Sequence, residues 1–77
     1  MTLEWYSSFD GKHLTWYLAQ SPIVWPNLAK LEQRLGKWSL EVWRPSEGVE
    51  NAWEFVARFD DLEEAKRVGF TIVRLET

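Results

Sequence analysis

The chain has 77 residues, 45% of them hydrophobic, with no cysteine, one histidine and a net charge of −3. That length allows one domain with a small core. The missing cysteines exclude a disulfide framework and a thiolate metal site, and a single histidine excludes a metal held by paired imidazoles.

Leu3, Trp5, Ser7 and Phe9 alternate with Glu4, Tyr6 and Ser8, a period of two that predicts a strand. Asp10-Gly11 is a hairpin turn signal. Leu14, Trp16 and Leu18 then alternate with His13, Thr15 and Tyr17, which predicts the second strand of a hairpin. The N-terminal stretch has no basic leader followed by an apolar run, so no signal peptide is expected. No apolar stretch approaches the ~20 residues needed to span a bilayer, and a soluble cytoplasmic protein is the expectation.

Ser21-Pro22 and Trp25-Pro26 punctuate the next stretch. Residues 27–36, NLAKLEQRLG, admit two readings. Leu28, Leu31 and Leu35 fit one face of a helix that Asn27 caps and Gly36 ends. The rival is a strand through Ala29 and Leu31 that turns at RLGK. Local propensity favours the helix, although fewer than three turns depend on packing. Residues 37–44 form a strand with Trp38, Leu40 and Val42 on one face and Ser39, Glu41 and Trp43 on the other.

A polar loop, PSEGVEN (45–51), leads to a further strand in which Trp53, Phe55, Ala57 and Phe59 alternate with Ala52, Glu54, Val56 and Arg58. The last element is a helix from about Leu62 to Leu75, with Leu62, Ala65, Val68, Gly69, Ile72, Val73 and Leu75 on one broad arc. Gly69 within it costs roughly 1 kcal/mol against alanine, so close approach of the helix to an aromatic ring is expected there.

Strands followed by one amphipathic helix define an α+β domain, an antiparallel sheet of four or five strands against a C-terminal helix, with residues 1–77 as a single domain. The helix is expected to cover Leu3, Trp5, Leu14, Trp16, Trp38, Leu40, Val42, Trp53 and Phe55. Tyr6, Tyr17, Trp43 and Val56 would then point the other way. If no second layer covers them they form an aromatic patch, with Tyr6, Tyr17 and Trp43 as interface anchors. The other reading folds the 20–35 region over them.

Charge is distributed unevenly. Residues 47–64 contain Glu47, Glu50, Glu54, Asp60, Asp61, Glu63 and Glu64 against Arg58 alone, whereas the residues before them are nearly balanced. Part of this block has a structural explanation, because Asp60-x-x-Glu63 and Asp61-x-x-Glu64 each fit a capping box at the helix start. The remainder fits a surface for a basic partner.

AKLEQRLGKWSLEVW, a polar loop and FVARFDDLEEAK resemble, in patterning and over about half the chain, small phage and prophage proteins of mostly unknown role. The resemblance implies a strand at residues 28–33, against propensity, and that expectation is adopted. It also implies a phage-type anti-defence role, anti-CRISPR-like, in a bacterial host cell. In that reading the acidic residues and the aromatic anchors bind a protein with a basic surface, such as a CRISPR effector complex. No residue-by-residue functional motif carries over.

Other functions find less support. Lys12, Lys30, Arg34, Lys37 and Arg44 are scattered and make no basic patch in sequence, so direct nucleic-acid binding is not expected, though a β-sheet nucleic-acid module remains the alternative. A small structural protein that buries its aromatic face in a homodimer is a third reading. Ser7, Ser8 and Ser39 lack a nucleophile-elbow context, and no Gly-rich phosphate loop is present. No enzyme activity, cofactor or metal is expected.

Overall fold

The computed structural model describes residues 2–21, 27–45 and 52–76. Five strands precede one helix: β1 (Thr2–Phe9), β2 (Leu14–Ser21), β3 (Ala29–Arg34), β4 (Lys37–Trp43), β5 (Trp53–Phe59) and α1 (Leu62–Glu76). The strands form one antiparallel sheet in the order β1-β2-β3-β4-β5, an α+β fold. No helix among the described residues is long and apolar enough to cross a membrane.

The turns follow from their residues. Gly11 has a φ of 95° in the β1–β2 loop, and Asp10 Oδ1 accepts the backbone N–H groups of Lys12 (2.9 Å) and His13 (2.7 Å). Those two bonds hold the Asp10 carboxyl below its usual range. Residues 29–34 are a strand, as the resemblance implied and propensity did not. Leu35-Gly36 then closes a two-residue hairpin, with φ of 52° and 78°. Both central residues are left-handed, the pattern of a type I′ turn. Tertiary pairing on both sides of β3 outweighs a helix preference that fewer than three turns could not enforce.

The inner face of the sheet holds the core. Leu18, Leu31 and Leu40 are fully buried and Val42 nearly so, with Ala65 and Val73 of α1 against them. The helix lies over β3, β4 and β5. Gly69 lets it settle: a Cβ there would stand 3.0 Å from Leu40 Cδ1 and 3.1 Å from the Trp5 ring. The expected approach to an aromatic ring is therefore present, and Trp5 supplies the ring. Leu75, placed on the apolar arc by periodicity, is 82% exposed: it lies about 200° around the helix from the buried Val73, which turns it away from the sheet.

One correction concerns β5. Leu40 opposes Ala57 but Glu41 opposes Phe55, so Val56 is an extra residue, a β-bulge. Alternation predicts Trp53 and Phe55 on the helix side and Val56 on the other. The bulge reverses the parity of the first half of the strand. Trp53 opposes Trp43, and Phe55 opposes Glu41, on the outer face, while Val56 packs against the core.

Candidate interaction surface

The outer face is built by register. Directly opposed residues of antiparallel strands share a face, so Tyr6, Tyr17, Lys30, Glu41 and Phe55 stand in one row across all five strands. Trp43 and Trp53 flank that row, with ring centroids 5.2 Å apart and planes at 68°. Edge-to-face geometry of this kind aligns the positive ring edge with the negative face of its neighbour. Tyr6, Tyr17, Trp43 and Trp53 are half-buried, and Phe55 is 54% exposed. Among the described residues no helix or strand lies over this face.

Lys30 is its electrostatic centre. Its Nζ is 3.1 Å from Glu32, 3.3 Å from Glu41 and 4.7 Å from the centroid of Trp53. Glu32 also meets Arg34 at 2.8 Å. Burial alone would raise the Glu32 pKa, but the hydrogen bonds from Lys30 and Arg34 outweigh it and hold the carboxyl below its usual range. Arg58 lies 5.8 Å from the Phe55 ring. The face thus carries aromatic side chains around a half-buried, internally neutralised charge network.

The structure brings Tyr6, Tyr17 and Trp43 together on this one face. Sequence reading missed Trp53, Phe55 and Lys30 as members of it. The bulge hid the first two, and Lys30 emerges only once β3 is known to lie between β2 and β4.

The acidic block does not form one surface among the described residues. Glu54 sits at the start of β5, where Arg44 bridges it (3.1 Å) to Glu76 near the end of α1. These two carboxylates raise the Arg44 pKa, Glu76 most strongly. Asp60, Asp61, Glu63 and Glu64 lie at the opposite end, roughly 20 Å away by strand rise. Asp60 faces Lys37 at 3.6 Å. Asp61 is the helix cap: its carbonyl accepts the Ala65 N–H at 3.1 Å and its carboxylate accepts that of Glu63 at 3.4 Å. Glu63 and Glu64 are exposed in the first turn, where acids meet the positive helix end. Glu47 and Glu50 lie outside the described residues. The acidic helix start and the aromatic face are on different layers of the molecule.

His13 is exposed in the β1–β2 loop, and no group of three or more His, Asp or Glu side chains converges among the described residues. Fold and surface together define a small α+β domain with one sheet face closed by the helix and a second face over which no described helix or strand lies. No protein-family model, curated protein or solved structure gives a significant match to the chain.

Proposed function

We propose that this is a small non-enzymatic binding protein whose open sheet face docks on another protein. The observation that carries the reading is the gathering of Tyr6, Tyr17, Trp43, Trp53 and Phe55 on a face that no described element covers. Tyrosine and tryptophan anchor protein interfaces because each gives large contact area for few rotatable bonds. Protein is favoured over nucleic acid because Lys30, at the centre of the aromatic face, is already neutralised by Glu32 and Glu41 and is not free to meet a phosphate chain.

The specific form of the reading is a phage-type, anti-CRISPR-like inhibitor acting in the bacterial cytoplasm on a basic nucleic-acid-binding surface. It draws on the resemblance and on the exposed carboxylates at the start of α1. Because those carboxylates and the aromatic face belong to different layers, the two contributions are separable.

The test is a tagged pull-down from nuclease-treated bacterial lysate with wild type, Phe55→Ser, Trp43→Ala and the Glu63→Lys/Glu64→Lys double variant. A specific protein held by wild type and lost with Phe55→Ser supports docking by the sheet face. Release by moderate salt, and loss with the charge reversal, supports a basic partner. Retention unchanged by all three variants would sink the reading, and direct binding of labelled single-stranded DNA or RNA would replace it with the nucleic-acid alternative.

A further inference from the structure

The sheet ends in two edges of different character. Among the described residues β1 and β5 each pair on one side only. An open edge is a row of unpaired N–H and C=O groups, and proteins that stay monomeric blunt it with bulges, prolines or charges. β5 is blunted: it carries the bulge at Val56 and exposed charges at Glu54 and Arg58. β1 is not. It runs eight residues, TLEWYSSF, with Glu4 as the only charge and no proline or lysine. Its register with β2 is unbroken from Thr2↔Ser21 to Phe9↔Leu14, so its free side is a regular ladder. At its end Phe9 is 68% exposed, an apolar side chain that its own chain leaves in water.

We propose that β1 pairs antiparallel with β1 of a second copy of this chain, joining two five-stranded sheets into one of ten strands. The inference is independent of the docking function above, because it uses the strand edge and leaves the outer face open. Symmetry and side-chain parity restrict the register. A two-fold axis must set one residue against itself, and opposed residues must share a face. An axis at Glu4 opposes two carboxylates, and one at Ser7 opposes Glu4 to Asp10 of the second copy; like charges in direct opposition are unfavourable. An axis at Trp5 leaves the exposed Phe9 with no residue of β1 opposite it. An axis at Tyr6 avoids all three. It pairs Tyr6 with itself once, and Trp5 with Ser7, Glu4 with Ser8 and Leu3 with Phe9 twice each. The exposed Phe9 then meets an apolar partner.

The Glu4–Ser8 pair makes the register testable by sign. Sedimentation equilibrium on wild type is expected to show a mass rising with concentration from 9.2 kDa toward twice that value. Ser8→Glu places two acid pairs across the junction and should weaken association about tenfold. Ser8→Lys should strengthen it several-fold, and Glu4→Lys combined with Ser8→Glu should restore it. Phe55→Ser should leave it unchanged. Ser8 is exposed, so far-UV circular dichroism at low concentration checks that each monomer is folded. A wild-type mass that stays at 9.2 kDa up to about 1 mM overturns the proposal. So does a dimer indifferent to the sign of the charge at position 8, or one abolished by Phe55→Ser.

Discussion

The two faces of the sheet bury their side chains by different means. On the inner face Leu18, Leu31, Leu40 and Val42 are closed off by hydrocarbon from the helix, with Gly69 removed as an obstacle between α1 and Trp5. On the outer face Tyr6, Tyr17, Trp43 and Trp53 reach only half burial, and the centre is a lysine held by two carboxylates. Hydrocarbon packing is sensitive to volume and gives stability. An aromatic and ionic surface tolerates water and remains available to a partner. Among the described residues one helix covers the sheet, and the side that no described element covers is where binding is proposed.

The comparison breaks most severely at Leu40. Leu40→Ala on the closed face should cost about 3–4 kcal/mol, read from urea denaturation; a loss under 1 kcal/mol would mean that the inner face is not the core. Next comes Gly69→Ala. Helix propensity alone predicts a gain of roughly 1 kcal/mol, but the new methyl presses on Leu40 and on the Trp5 ring. A net loss of about 1–2 kcal/mol is expected, and a net gain would show that the helix stands further from the sheet.

Leu35→Asn should act in the opposite direction. Leu35 holds a left-handed backbone with its side chain fully in solvent, and asparagine tolerates that conformation better. A gain of about 1 kcal/mol follows, visible as a higher Tm. Glu32→Gln separates the charge network from the hydrocarbon core. The folded carboxyl is held below its usual range, so the folded state binds fewer protons than the unfolded one. The resulting stability is present above the ordinary glutamate pKa and is lost as pH falls through the lower, folded value. Glu32→Gln should flatten stability against pH on that acid limb and leave its slope near neutrality unchanged. The smallest effect on folding is expected from Phe55→Ser on the open face, within about 0.5 kcal/mol. It is the variant expected to abolish partner capture.

Much of the architecture was legible in the residues. Period-two alternation marks β1, β2 and β4, and Asp10-Gly11 marks the first turn. Asp61 before Leu62 marks the helix start, and a glycine inside an apolar helical arc signals its close approach. The strand at 29–34 is a different case. Its leucines fit a helix as well as a strand, and only hydrogen bonding to β2 and β4 decides between them. The site was less legible than the fold. Tyr6, Tyr17 and Trp43 could be placed on one face by parity alone, but Trp53 and Phe55 could not.

What the sequence by itself determined is therefore β1, β2, β4 and α1 with their amphipathic faces, and the existence but not the facing of β5, because periodicity, turn chemistry and capping act over a few neighbouring residues. Only the tertiary structure decided the strand order, the unblunted edge at β1, the division of the acidic block between two ends, and the face on which Trp53 and Phe55 lie. The physical reason is clearest at the bulge. Residues 55, 56 and 57 are all apolar, so either parity buries an apolar side chain, and the choice falls to packing between β4, β5 and the helix rather than to any local preference.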